Sequence, residues 1–356
     1  MVPNLLTIKL GPLCLFVGLI CAANLAPCAR PLVAADKHPI QLVFDTDIGN
    51  DIDDALALGV IHGLVSRGEC DLIAVTITND DPLSAPFVDA VNTFYGRVDI
   101  PIGVVHKGPT SEASRYTGIA NVRDGSHLRY PHKLLSGVNA LEAVSLLRRT
   151  LAVAKDQSVV FVQVGYSTNL ARLLQSAPDE TCNLTGLELV KKKVRLLSIM
   201  AGSFAATSDP PRPEYNVKMD ITSAKAVVSG WPTPIVFSGV EVGMAITIPA
   251  ESIERDFAYV AHHPLAEAYR LHTDPLQDRP AWDLTSVLFA VRSDYQYFEL
   301  SPSGRVVVAN DGTTSFKPER TGPHRFLMLK HGQQSRVREA LTQLTSQPPP
   351  LANCRP

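Results

Sequence analysis

An acidic segment near the amino terminus carries the residues best suited to chemistry. It contains five aspartates within ten residues, Asp45, Asp47, Asp51, Asp53 and Asp54. Carboxylates this close together repel one another strongly unless a cation neutralises them. A hard divalent cation with oxygen ligands would do so. The alternative is a solvated acidic turn in which one aspartate caps a helix.

The acidic segment joins a predicted strand to a predicted helix. Residues 40–44 form an apolar run rich in branched side chains, which is typical of a buried strand, whereas Leu56, Val60, Ile61 and Leu64 recur at helical spacing. Ligands bind open α/β sheets at the carboxyl ends of strands. The position of the aspartates therefore favours a binding site over a solvated turn.

The same alternation of strand and helix continues along the chain. It predicts buried strands at 71–78, 102–105, 158–164, 194–200 and 233–238, helices at 87–96, 137–154 and 282–290, and a β excursion at 301–325. Such alternation is typical of one α/β domain with a mostly parallel central sheet flanked by helices. We assign residues 36–345 to this domain and 346–356 to a proline-rich tail.

Several motifs resemble those of the inosine/uridine-preferring nucleoside hydrolases. Residues 45–55 are similar to the family signature Asp-x-Asp-x-Gly-x-Asp-Asp-Ala, with two residues added so that Asn50-Asp51-Ile52 occupies the place of one. Residues 165–171 resemble the family's Gly-Pro-Leu-Thr-Asn-Leu-Ala, residues 214–216 its Glu-Phe-Asn, and residues 282–290 its His-Asp-Pro-x-x-x-x-Ala. The resemblance extends from about residue 41 to residue 291 and implies the nucleoside-hydrolase fold.

The resemblance implies a calcium site and a catalytic base. Calcium would be held by the side chains of Asp47, Asp54 and Asp283 and by the main-chain carbonyl of Val164. Asp47 would also accept the proton of the attacking water. The implied reaction is hydrolysis of the N-glycosidic bond of ribonucleosides to free base and ribose, through a transition state that resembles an oxocarbenium ion.

The family motifs also imply the residues that bind the ribose. They are Asp53, Asn79, Glu214, Asn216 and Asp283. The two added residues leave open whether Asp51 or Asp53 takes the ribose position, although adjacency to Asp54 and Ala55 favours Asp53.

Recognition of the base is expected to depend on an aromatic side chain. Trp282 replaces the histidine found in many members, and in a purine-preferring branch a tryptophan here stacks on the base; Asp80 matches an acid that this branch directs at the purine. Packing of Trp282 in the core is the alternative. His127, in a predicted lid loop at 107–135, is a candidate leaving-group acid, but its surroundings do not match the family's loop motif.

Two other classes of protein remain as alternatives. An exported, non-catalytic nucleoside- or ribose-binding protein would keep the hydroxyl contacts without needing Asp47. A phosphatase of the haloacid dehalogenase type also begins with a strand and Asp-x-Asp, but Ile48-Gly49 replaces its usual pair and no later lysine and paired-aspartate motif is evident.

The amino-terminal residues predict export. Residues 1–35 contain an uncharged apolar run from 10 to 26 and a small-residue cleavage site near Ala35, as in a signal peptide, and an uncleaved membrane anchor is the alternative. The mature protein would be periplasmic or secreted, without a membrane span, with a nucleoside as its partner and as a homodimer or homotetramer. A net charge of −2 with scattered basic residues argues against nucleic-acid binding. A disulfide between Cys182 and Cys354 is compatible with export.

Overall fold

The computed structural model describes residues 38–110, 113–205, 212–330 and 332–350. The described strands are β1 Ile40–Thr46, β2 Cys70–Ile77, β3 Ile102–Val104, β4 Arg123–Asp124, β5 His127–Leu128, β6 Leu141–Glu142, β7 Val159–Gln163, β8 Val194–Met200, β9 Ile235–Ser238, β10 Thr247–Ile248, β11 Arg279–Pro280, β12 Glu299–Leu300, β13 Gly304–Val308, β14 Thr314–Pro318 and β15 His324–Met328.

The helices lie mostly between these strands. They are α1 Asp53–Ser66, α2 Ser84–Phe94, α3 Ala143–Val153, α4 Thr168–Gln175, α5 Gly186–Lys193, α6 Tyr215–Met219, α7 Ile221–Gly230, α8 Val240–Met244, α9 Ala250–Arg255, α10 Pro264–His272, α11 Trp282–Arg292 and α12 Gln333–Thr345. Within the described part of the chain, no helix has the length and apolar character that crossing a membrane requires.

One large sheet organises the molecule. Its strand order is β14-β13-β15-β9-β8-β7-β1-β2-β3-β6, and every pair from β15 to β6 is parallel. After β1, the strands β2, β3 and β6 extend the sheet on one side of β1. The next strand in the chain, β7, pairs with β1 on its other side. The carboxyl end of β1 is therefore the topological switch point, where open α/β sheets form their ligand crevice.

Successive residues of β1 belong to different hydrophobic cores. Leu42 and Phe44 join the core that includes α1, α2, α10, α11 and α12, whereas Val43 joins the core that includes α3, α4, α5 and α7. Because side chains alternate across a strand, helices on both faces require a strand that is apolar throughout. The uninterrupted apolar run of β1 is explained by this double burial.

The structure confirms the predicted mostly parallel α/β sheet and moves some boundaries. The helix expected at 137–154 begins only at Ala143, because Gly137–Asn139 form a single 3-10 turn and β6 pairs with β3 at the sheet edge. The β excursion at 301–325 is confirmed as β13 to β15, which extend the main sheet. The predicted leader and Cys354 lie outside the described residues.

A close approach between helices holds α1, and with it the acidic segment, in place. A Cβ atom added at Gly63 of α1 would lie 2.4 Å from the carbonyl oxygen of Leu344 in α12. That neighbour is backbone and cannot rotate away, so the two helices can pack this closely only with glycine at this position.

We therefore expect Gly63→Ala to destabilise the protein by about 1–3 kcal/mol, because overpacking exceeds the gain in helix propensity. Denaturant unfolding measures the change. Gly118→Ala is the matched control, since an added Cβ there meets no atom within 4 Å. Equal stability of the two variants would contradict this account of the α1–α12 contact.

Candidate active site

A cavity of about 320 Å³ opens at the carboxyl end of β1. Its lining combines acids from the β1–α1 segment with residues at the ends of β7 and β8 and at the starts of α6, α8 and α11. The lining residues are Asp47, Asn50, Asp51, Asp53, Asp54, Val164, Met200, Glu214, Tyr215, Asn216, Val240, Trp282 and Asp283. The fold thus brings distant parts of the sequence together at the switch point.

Three carboxylates converge in this cavity. Asp53 and Asp54 lie in the first turn of α1 and Asp283 in the first turn of α11, and one oxygen of each lies within 4.8 Å of the others. The main-chain N–H of Asp283 donates to Oδ2 of Asp53 at 3.2 Å, and the Thr46 hydroxyl donates to Asp54. Both helices direct their amino termini at the cluster, which favours negative charge there.

The cluster carries a high electrostatic cost. All three carboxyls are buried, and burial raises the pKa of each well above its usual range. Neighbouring carboxylates raise these pKa values further. For Asp54, these neighbours are Asp47 and Asp53. Among the described residues, no lysine or arginine forms an ion pair with any of the three. A set of crowded, buried oxygen donors fits a hard divalent cation.

Asp47 lies beside the cluster at the end of β1. Its Oδ2 accepts a hydrogen bond from Nδ2 of Asn50 at 3.2 Å, and burial raises its pKa to about 6. The hydroxyl of Tyr166 is buried next to Asp47. With the described residues it forms no hydrogen bond that meets the usual distance and angle limits. Asp47 is therefore a carboxylate at neutral pH that binds a proton more readily than a free aspartate does.

Glu214 and Asn216 also line the cavity. Glu214 caps α6 by accepting the main-chain N–H groups of Asn216 at 2.8 Å and Val217 at 3.2 Å, and burial raises its pKa to about 7. Nδ2 of Asn216 donates to the carbonyl oxygen of Val164 at 2.7 Å. The contacts fix the two polar side chains and the Val164 carbonyl relative to one another.

Residues 50–52, which take the place of one residue in the family signature, make a separate contact through Asp51. Asp51 pairs with Arg279, and one of its oxygens lies 3.3 Å from Nε2 of His272. The Tyr116 hydroxyl accepts from the Gly49 N–H at 2.7 Å and donates to the Asp51 carbonyl at 2.8 Å. The structure thus directs the Asp51 carboxylate at two basic side chains, whereas Asp53 joins the three-carboxylate cluster.

Trp282 is both packed and part of the cavity wall. Its indole Nε1–H donates to the Val240 carbonyl at 3.0 Å, and a Cβ added at Gly243 would lie 2.3 Å from its Cδ1. The half-buried ring still lines the cavity. The two interpretations of Trp282, core residue and base platform, are therefore compatible.

Comparison with known proteins identifies the family. The model of the family described as inosine-uridine preferring nucleoside hydrolase matches residues 42–341. The chain belongs to this family. Membership makes the protein a hydrolase that acts on N-glycosyl bonds, in a family that depends on a metal. No curated protein matches the chain significantly by sequence.

Solved structures share the fold of the hydrolase at low sequence identity. A purine-preferring ribonucleoside hydrolase from Gardnerella vaginalis is 16% identical, with a TM-score of 0.64 over 86% of this chain and 98% of that one. An inosine-uridine preferring nucleoside hydrolase from Bacillus anthracis is 17% identical, with a TM-score of 0.63 over 86% and 99%. The type III effector XopQ, solved with adenosine diphosphate ribose, is 16% identical, with a TM-score of 0.60 over 87% and 92%.

Three of the candidate residues do not line the hydrolase's cavity. Asp80 accepts the Gly108 N–H at 2.6 Å and lines a different pocket. Asn79 is buried, accepts the Asp81 N–H at 3.0 Å and lines a neighbouring polar pocket. His127 is exposed on β5, with Nδ1 3.2 Å from the Ser126 hydroxyl. The contact of Asp80 with a purine and acid catalysis by His127 stay predictions.

Several residues of the cavity and of the neighbouring polar pocket are not predicted from the sequence. Tyr215, Met200 and Val240 line the cavity, whereas Tyr166 and Arg279 line the polar pocket. Arg279 lies three residues before Trp282, and an isolated arginine gives no local signal. Its ion pair with Asp51 joins residues 228 positions apart in the chain, so only the tertiary structure shows it.

Removing one carboxylate of the cluster should abolish metal binding. We expect Asp54→Asn to lose divalent-ion binding in calorimetry on chelator-treated protein, because a neutral amide leaves too little negative charge for a hard cation. Asp99→Asn, at a side chain that is 93% exposed, should bind as the wild type does. Equal binding by both variants would show that the metal site lies elsewhere.

Proposed function

We propose that the protein is an exported, calcium-dependent hydrolase of ribonucleosides in which Asp47 is the general base. The proposal depends on one observation above all. A single cavity contains a buried three-carboxylate cluster, the adjacent Asp47, and the Glu214–Asn216 pair. Release of free ribose from a panel of nucleosides, with and without chelator, tests the proposal directly.

The donor set favours calcium among the biological cations. We infer that Asp47, Asp54, Asp283 and the Val164 carbonyl would hold it, with Asp53 available as a further oxygen donor. The donors are all oxygen atoms, whereas zinc and copper sites use histidine or cysteine. Calcium also accepts irregular arrangements of many oxygens more readily than magnesium does. When bound, the cation supplies positive charge that acidifies a nearby water and attracts the ribose hydroxyls.

Side chains of the protein would bind the ribose and accept the proton of the attacking water. Glu214, Asn216 and Asp53 would hold the ribose hydroxyls, and negative charge in the cavity favours the developing oxocarbenium character of the sugar. Asp47 would accept a proton from the water that attacks C1′. Asp47 is ionised at pH 7 even before a cation binds, as a proton acceptor must be.

The base would stack on Trp282. The flat face of the ring can hold a purine over a larger area than a pyrimidine, so stacking favours purine nucleosides. A purine preference is the stated property of the Gardnerella hydrolase, and its extension to this chain depends on Trp282. A contact of Asp80 with the purine would have to use acceptor sites other than the one that already accepts the Gly108 N–H.

Binding without turnover remains the second candidate function. One protein of this fold was solved with adenosine diphosphate ribose, which a ribose-binding cavity of this kind suits. A pure binding protein would not need Asp47 as a base. Saturable nucleoside binding without ribose release would favour this candidate over the hydrolase.

Export and assembly are further parts of the proposal. We infer that residues 1–35 are a signal peptide cleaved near Ala35 and that the mature hydrolase is periplasmic or secreted, as a homodimer or homotetramer. Intact mass of the protein recovered from the exported fraction tests the cleavage, and light scattering on the same sample tests the assembly.

We expect Asp47→Asn to lower kcat by a factor of roughly 10² or more while ribose binding is retained, because the amide cannot accept the proton. Ribose release measures kcat, and calorimetry on the same sample measures metal content, since Asp47 is also a proposed ligand. Asp71→Asn, at an exposed position on β2, is the control. Near-normal kcat with normal metal content would exclude Asp47 as the base.

We expect inosine or guanosine to exceed uridine in kcat/KM by at least roughly tenfold, and Trp282→Ala to reduce that ratio, because the larger ring gains more from stacking. The same variant should melt at a lower temperature, since it loses the bond to Val240 and the packing against Gly243. A lower melting temperature with an unchanged ratio would leave Trp282 only its packing role.

A further inference from the structure

A second, polar pocket of about 370 Å³ adjoins the cavity and shares Asn50 and Asp51 with it. Two guanidinium groups, those of Arg115 and Arg279, line this polar pocket together with His272. Asp51 is its only carboxylate among the described lining residues. The described lining residues of the polar pocket therefore carry an excess of positive charge.

Arg279 is held at the junction of the cavity and the polar pocket. It lies on β11, which pairs with β10, and its Nη2 donates to the Asp51 carboxylate. Its Cζ lies 6.0 Å from the centroid of the Trp282 ring, within the range of a cation–π contact. Its Nε–H is buried and finds no acceptor among the described residues.

The position of Arg279 relative to the ribose-binding residues indicates which part of a nucleoside it contacts. Glu214, Asn216 and Trp282 line the same cavity, so a ribose held by the first two leaves the Trp282 ring, beside which Arg279 lies, to the other half of a nucleoside. That half is the base, whose carbonyl oxygens and ring nitrogens are hydrogen-bond acceptors. The side chain of Arg279 is 22% exposed, and the exposed part of its guanidinium can donate hydrogen bonds to such acceptors.

We propose that Arg279 is a catalytic residue that stabilises the negative charge developing on the departing base. Asp51 and Trp282 act as positioning residues that fix the guanidinium. The inference rests on the proposed hydrolysis of nucleosides, to which it adds the group that acts on the leaving half of the substrate.

The step requires no acid on the protein. The bond between C1′ and the base nitrogen breaks, and its electron pair stays on the base. The oxygen of water bonds to C1′, and the proton of that water passes to Asp47. Arg279 keeps its protons throughout and donates hydrogen bonds to the base, which takes a proton from solvent after it leaves. Such preorganised donors are worth more in a water-poor cavity than in water.

The dependence of rate on the leaving group tests the proposal. Arg279→Met should lower kcat/KM for inosine by about 10²-fold, because it removes the charge and the hydrogen-bond donors while keeping an unbranched apolar stem. It should change kcat/KM for 4-nitrophenyl riboside by less than about threefold, since nitrophenolate is a stable anion that needs little help. Across a series of phenyl ribosides, the loss should grow as the leaving group becomes a poorer one.

Two further variants separate chemistry from folding. Arg279→Lys should restore part of the inosine activity, since it keeps a positive charge but loses the planar fork. Arg255→Met removes a surface arginine whose side chain is 70% exposed, and it should leave both substrates unaffected. Nitrophenyl riboside turnover by Arg279→Met also reports that the variant is folded.

Equal losses on inosine and on the nitrophenyl substrate would overturn the inference, because a structural role would affect both alike. Unchanged inosine activity in Arg279→Met would overturn it as well. A wild-type protein that cleaves neither substrate would overturn the proposed function itself, which keeps the two failures distinguishable.

Discussion

The repulsion among buried carboxylates at the carboxyl end of β1 is the constraint on which the rest of the structure depends. Asp53, Asp54 and Asp283 have oxygens within 4.8 Å of one another in a buried site. Like charges at that distance favour dissociation of the elements that carry them unless protons or a cation reduce the charge. The surrounding fold therefore has to hold these elements together from outside the site.

Packing of apolar surface supplies that restraint. Residues 53–64 of α1 are all buried, and this helix packs against both α11 and α12. α11 is also buried from Asp283 to Arg292. A helix that is buried on all sides cannot rotate or slide without opening a cavity, and cavities in a close-packed core are costly. The carboxylates in the first turns of α1 and α11 are consequently held in register.

Polar contacts from neighbouring strands complete the restraint. The buried Asp45 carboxylate accepts the Thr76 hydroxyl at 2.6 Å and Nδ2 of Asn169 at 2.9 Å, so that it links β1 to β2 and to α4. The Tyr116 hydroxyl also holds the acidic segment, through the Gly49 N–H and the Asp51 carbonyl. These contacts lie on both sides of Asp47 in the chain and fix the backbone from which its side chain projects.

The sequence by itself determined the α/β class, the sheet edge used for the site, and most of the residues of the cavity. Strand periodicity and the motif spacing are local properties, and a carboxylate at a strand end can be recognised without knowing its neighbours. Only the tertiary structure decided that Asp51 pairs with Arg279 and His272, whereas Asp53 belongs to the three-carboxylate cluster. It also placed Asp80 and His127 outside the cavity. These outcomes depend on contacts between segments far apart in the chain, for which local periodicity carries no signal.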